Sequence, residues 1–193
     1  MQRKILGPIT AFVLAASLPA FAQSERTPDG GEAMGTNAMD TDKGPTPAPQ
    51  DVKTAADFVP LAAVGNSFEI ETSNLALTKS TDEAVREFAR RMNADHSEAA
   101  VKLQQAVEQS KSGLAIPTGL DARHQELLNE LSAADDGDFD AEYVAMQRQA
   151  HEEAVALFSA YSTNGEDGPI KEMAASTLPT LKEHQQMVGD LGK

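Results

Sequence analysis

Four stretches of this chain carry apolar side chains at the spacing of a single helix face, and this pattern limits the fold more than any other feature. The stretches run from about Thr54 to about Lys79, from the 80–83 break to no later than Gly113, from Phe139 to Tyr161 and from Ile170 to Leu191. Helices that are apolar on one side can bury that side only against one another. The pattern therefore predicts an all-α four-helix bundle, with an extra short helix over 120–134, between the second and third long helices.

The chain before the bundle divides into two parts. Arg3 and Lys4 precede a short apolar run, and Ala20-Phe21-Ala22 is a signal-peptidase cleavage pattern. Residues 23–53 contain four prolines and few large apolar side chains, a composition typical of a disordered linker. The sequence thus predicts a signal peptide over 1–22, a linker over 23–53 and a bundle domain over 54–193. The mature protein is expected in the periplasm or secreted.

Charge and composition exclude several classes of function. Removing residues 1–22 takes away two basic residues and no acidic one, so the formal net charge changes from −14 to −16. A chain this acidic repels nucleic acid, and its low aromatic content offers no stacking platform for bases. The absence of cysteine excludes disulfides, thiolate zinc and iron–sulfur clusters. No stretch after the signal peptide is apolar enough for a transmembrane segment.

Three of the four histidines lie on or beside the apolar faces of three different predicted helices: His96, His151 and His184. The remaining long helix carries Glu69 about 50° from the centre of its apolar stripe. At about 1.5 Å per residue, the four side chains lie near the middle of the bundle, spread over about 10 Å along its axis. Glu69, His96, His151 and His184 are therefore the candidate metal-binding residues.

Two interpretations of these side chains remain open. Three imidazoles and a carboxylate suit a divalent metal such as Zn²⁺, or a copper ion. Alternatively, each histidine forms a hydrogen bond with a neighbouring helix, for which Asp95 and Tyr143 are possible partners. A di-iron centre is disfavoured, because the Glu-x-x-His spacing is missing: the residues three before the histidines are Asn93, Arg148 and Leu181.

The order of these features resembles the exported bacterial domain-of-unknown-function family 4142. The resemblance covers about 54–191 and rests on Phe88-Ala89-x-x-Met92-x-x-Asp95-His96, Phe139-Asp140-x-x-Tyr143, His151 and Leu178-Pro179-x-Leu181-x-x-His184. It implies a ferritin-like helical bundle in the periplasm or outer envelope and brings no established activity. Fold alone does not fix function.

Two functional hypotheses follow. The first is a non-catalytic bundle that binds a partner, such as an envelope protein, in envelope stress tolerance. The second is a protein that binds Zn, Cu or Fe, or a metal-dependent redox protein, and uses Glu69, His96, His151 and His184. No nucleophile–base arrangement, phosphate loop or dinucleotide fingerprint supports an enzyme of a familiar class.

Overall fold

The computed structural model describes residues 46–191, which form five α-helices and no strand. The helices are α1 (Ala55–Lys79), α2 (Glu83–Ser110), α3 (Ala122–Ala133), α4 (Phe139–Asn164) and α5 (Pro169–Asp190). The predicted all-α bundle of four long helices and one short helix is confirmed. The predicted signal peptide and residues 23–45 of the predicted linker lie outside the described residues.

The long helices form two hairpins, α1–α2 and α4–α5, which pack side by side through α1 against α4 and α2 against α5. The backbone N–H of Ala55 donates to Oε2 of Glu166 at 2.9 Å, and Nζ of Lys79 donates to the carbonyl of Ala134 at 2.7 Å. The start of α1 therefore lies near the end of α4, and the end of α1 lies near the start of α4, so the two helices are antiparallel. The long connection from α2 to α4, which contains α3, crosses the length of the bundle. One such crossover is typical of a ferritin-like bundle.

Short polar side chains fix where three of the helices begin. Thr54, Asp82 and Asp121 accept hydrogen bonds from backbone N–H groups in the first turns of α1, α2 and α3. These N-caps satisfy donors that have no partner inside the helix. At the α4–α5 turn a side chain on Gly165 would come within 2.5 Å of the Tyr161 carbonyl, so the turn requires glycine there.

The bundle interior consists of two apolar clusters with a polar layer between them. One cluster is built around Phe58, Leu103 and Tyr161, and the other around Phe88 and Tyr143. Between them the buried side chains are mainly polar: Asn66, Glu69, Thr72, Ser73, His96, Gln147, His151 and His184. Burying so many polar groups is unfavourable unless they find partners, so this layer is where a function is expected.

Residues 46–53 differ from the composition-based expectation of a linker. Pro49–Asp51 form a short 3-10 turn that packs against α4, and Val52 is 1% exposed in the first apolar cluster. The reason is a single valine, whose burial anchors a segment that is otherwise polar and proline-rich. Within the described residues no helix is long and apolar enough to cross a membrane.

Candidate metal centre

The three histidines predicted to face the bundle interior lie together in its polar layer. His96 on α2, His151 on α4 and His184 on α5 are 3%, 0% and 1% exposed. Their ring centroids form a nearly equilateral triangle, 5.6 Å from His96 to His151 and 5.4 Å for the other two pairs. The axial separation estimated from the sequence is therefore closed in the folded chain.

One nitrogen of each imidazole ring is in a hydrogen bond with an oxygen atom, and this bond fixes the orientation of the ring. Nδ1 of His151 lies 2.9 Å from the backbone carbonyl of Gln147, and Nε2 of His184 lies 2.8 Å from Oδ2 of Asp95. Nδ1 of His96 lies 3.0 Å from Oδ1 of Asn66. Because these oxygens accept, the bonded nitrogens carry the protons, which leaves the other nitrogen of each neutral ring with a free lone pair.

The three lone-pair nitrogens are buried and have no protein hydrogen-bond partner among the described residues: Nε2 of His96, Nε2 of His151 and Nδ1 of His184. One nitrogen from each ring lies within 4.8 Å of the others. An ion bound at about 2.0–2.1 Å has each ring centre about 3 Å away, so three such centres are about 5 Å apart. The centroid triangle already has this size.

Glu69 lies beside this group rather than within it. Its side chain is 3% exposed, and Oε1 is 3.7 Å from Nδ1 of His151, the nitrogen that faces the Gln147 carbonyl. Its Oε2 has no protein hydrogen-bond partner among the described residues. The structure thus brings the three predicted imidazoles into one group and places the predicted carboxylate next to one of them.

Burial shifts the pKa values of His96, His184 and Glu69 in the direction that favours their neutral forms. Burial, together with repulsion from His151 and His184, holds the pKa of His96 well below its usual value. Burial also lowers the pKa of His184, although the hydrogen bond to Asp95 opposes it. The pKa of Glu69 is raised by burial, against the influence of His151 and Gln147. Neutral imidazoles are the protonation state that binds metal ions.

Asp95 connects His184 to the protein surface. The carboxylate also accepts a short hydrogen bond from Nε of Arg91, whose guanidinium lies 3.9 Å from Glu183. Although partial burial raises the pKa of Asp95, the hydrogen bonds from Arg91 and His184 lower it overall. A charged carboxylate behind an imidazole orients the ring and increases its basicity, as in carboxylate–histidine–metal arrangements.

A cavity of about 600 Å³ lies between α1, α3 and α4 and reaches the cluster at His96. Asn66, Glu69 and His96 are the buried polar residues that line it. Its other walls are mainly apolar, and Arg123 of α3 forms a two-pronged ion pair with Glu153 of α4 beside it, at 2.6 and 3.0 Å.

The fourth histidine is not part of the cluster. His124 on α3 packs edge-on against Phe68 at 5.0 Å, and its Nδ1 lies 2.7 Å from Oδ1 of Asp121. Sequence reasoning missed Asn66 and Gln147 as partners of the histidines. The signal for Asn66 is its position three residues before Glu69, on the same face of α1.

The chain matches the family model described as "Domain of unknown function (DUF4142)" over residues 40–191. The chain belongs to this family. The match begins before residue 53, where the predicted linker ends, and therefore includes the segment that carries Val52. No curated protein matches the DUF4142 chain in sequence.

A solved structure with a similar fold is a crystal structure of a DUF305 fragment from Deinococcus radiodurans. It superimposes on the DUF4142 chain with a TM-score of 0.60 and 14% sequence identity, over 77% of this chain and 99% of the fragment. At this identity the likeness concerns the fold alone.

Proposed function

We propose that the protein binds one transition-metal ion of the Zn²⁺ or Cu²⁺ class through His96, His151 and His184, with Glu69 beside it. The observation that carries the proposal is the group of three buried lone-pair nitrogens, each opposite a hydrogen bond that orients its ring. Hydrogen-bonded histidines of this kind are typical of metal ligands. Three imidazoles with a further position open suit both ions.

A hydrogen bond to a single water molecule does not account for this group. A buried acceptor without a partner costs about 1–3 kcal/mol, and this cluster contains three imidazole acceptors and Oε2 of Glu69. A water molecule donates two hydrogen bonds, so one water cannot satisfy three imidazoles. Protonating a histidine would supply a donor, but burial lowers the pKa of His96 and of His184. A bound cation satisfies all three lone pairs at once.

The proposed setting is the bacterial envelope. The support is the sequence of residues 1–22, with its basic start, short apolar run and Ala20-Phe21-Ala22. The role is metal binding in the envelope without catalysis of its own; an envelope protein partner remains part of the proposal.

The first test is the metal content of the mature chain. We expect the protein purified without a polyhistidine tag to begin at Gln23 and, after loading with Zn²⁺ or Cu²⁺ and removal of excess metal, to hold one equivalent by elemental mass spectrometry. His96→Ala and His184→Ala should each lose the metal, because two imidazoles do not replace three. His124→Ala is the matched control, since His124 lies outside the cluster, and it should keep the metal.

The opposite result has a clear form. If wild type and all three variants hold no metal under any loading, the histidines are core hydrogen-bonding groups and the proposal is wrong. In that case His96→Ala and His184→Ala would change only stability, by roughly 1–3 kcal/mol.

A further inference from the structure

The cavity next to the histidines has the size and lining of a small-molecule site. Pockets for organic ligands occupy roughly 300–1,000 Å³ and combine apolar walls with a few polar groups. This cavity measures about 600 Å³. Its apolar wall includes Leu61, Phe68, Leu127, Met146, Leu157 and Phe158. A path for a bare metal ion needs neither this volume nor an apolar wall.

Gly65 adds an independent observation. It lies inside α1 and lines the cavity, and a Cβ added there would meet no atom within 4 Å. Glycine within a helix is less stable than alanine by roughly 0.5–1 kcal/mol. Packing therefore does not require glycine at this position, and a large side chain here would extend into the cavity.

The polar end and the mouth of the cavity indicate the chemistry of the occupant. At the inner end, Nε2 of His96 and Oε2 of Glu69 have no protein partner among the described residues. Around the mouth the carboxylates of Glu130, Glu142 and Glu153 outnumber the one guanidinium, which is already paired with Glu153. This excess of negative charge disfavours an anionic ligand.

We infer that the cavity binds a small, mainly apolar organic molecule whose single uncharged nitrogen or oxygen donor occupies the open position of the ion held by His96, His151 and His184. The inference rests on the proposed metal site. His96 is the one proposed metal ligand that lines the cavity, beside Glu69, so the donor atom would approach the ion from this side and the apolar body would contact the walls formed by α1 and α4.

The test uses the mature chain loaded with Co²⁺, whose visible absorption reports a new ligand. The probes are 1-alkylimidazoles from methyl to hexyl, which offer the same uncharged nitrogen on tails of increasing length. Burial of each added methylene contributes about 0.8 kcal/mol, so Kd should fall about fourfold per methylene until the cavity is full. Gly65→Phe should weaken hexylimidazole binding at least tenfold with Co²⁺ content unchanged.

Two further variants make the result decisive. Gly65→Ala adds a single carbon and should keep the dependence on tail length. Leu127→Trp fills the cavity from α3, away from the metal ligands, and should repeat the Gly65→Phe result if that variant fails to fold. The inference is wrong, and the proposed metal site stands, if Co²⁺ is retained but the affinity for the 1-alkylimidazoles does not depend on tail length. The same holds if neither filling variant changes that affinity. Failure of the wild-type chain to bind Co²⁺ would overturn the proposed metal site and the inference with it.

Discussion

Among the residues that are not proposed ligands, Asp95 should have the largest effect on metal affinity, through its carboxylate. It holds His184 by a 2.8 Å contact and is itself held by Arg91. Asp95→Asn keeps the size of the side chain but removes the charge that favours a metal-bound imidazole. We expect metal affinity to fall by about 10- to 100-fold, since partners of this kind have effects of that size.

A matched control is present in the same chain. This control is Asp121→Asn. Asp121 lies 2.7 Å from Nδ1 of His124, outside the cluster, and it also caps α3, a role that asparagine retains. Competition titration with a chromophoric chelator measures both variants. Equal affinities for wild type and Asp95→Asn would show that Asp95 does not tune the site.

The depressed pKa values of His96 and His184 predict how the stability of the metal-free protein depends on pH. Below about pH 6.5 the unfolded chain protonates these histidines, and the folded chain protonates them less at the same pH. The unfolded state then binds more protons, so the unfolding free energy decreases as pH falls from 7. Glu69, whose pKa is raised, contributes the opposite trend above its ordinary value of 4.5.

Urea unfolding in the presence of a chelator, at pH 7 and pH 5.5, measures this dependence. Between these two pH values the unfolding free energy of His96→Gln should fall by about 1 kcal/mol less than that of wild type. The reason is that one histidine contributes up to about 1.4 kcal/mol per pH unit. Identical losses in wild type and His96→Gln would contradict a neutral, buried His96.

The sequence was enough to predict some residues of the candidate site but not all of their contacts, for a physical reason. His96, His151 and His184 could be found because the helical period decides which side chains face inward. The same period places Asn66 on the face of Glu69, but it does not predict the contact of Asn66 with His96. That contact depends on how far α1 is shifted along α2, and a shift of a single residue moves a side chain by about 1.5 Å and 100°. The same uncertainty produced the estimated axial spread of about 10 Å, where the folded helices bring the rings to 5.4–5.6 Å.

Among the elements, the four long helices were predictable and the segment before α1 was not. The predicted helix from about Thr54 to Lys79 corresponds to α1 at Ala55–Lys79, because the stripe and the Thr54 cap agree. In 46–53 composition favoured disorder, yet Val52 packs into the core. One apolar residue in a polar stretch has no period, so no pattern predicts its burial.

The segment before α1 should therefore contribute measurably to stability. Val52→Ala removes two buried carbon atoms, worth about 0.8 kcal/mol each, and leaves a small cavity. We expect the unfolding free energy to fall by about 1.5–3 kcal/mol in urea denaturation. Val101→Ala on α2 is the control, because Val101 is 53% exposed, and it should change stability by less than about 0.5 kcal/mol. A similar small effect for both substitutions would mean that the segment does not support the bundle.

For the molecule as a whole, the proposed ion would add a direct link among three of the four long helices. His96, His151 and His184 lie on α2, α4 and α5, so the ion links both hairpins. An ion that binds only the folded state stabilises it by about 2.7 kcal/mol at 100 times Kd. For a domain of this size that corresponds to a rise in Tm of roughly 10 °C.

Calorimetry of the mature chain with and without metal measures this rise, and amide hydrogen exchange locates it. Exchange should slow in α2, α4 and α5 more than in α3, which supplies no ligand. His124→Ala should show the same rise in Tm as wild type, whereas His184→Ala should show almost none. A rise that persists in His184→Ala would place the ion elsewhere, on the many surface carboxylates of this acidic chain. Because mass action acts only through the site that binds, the difference between these two histidine variants assigns the stabilisation to the buried cluster.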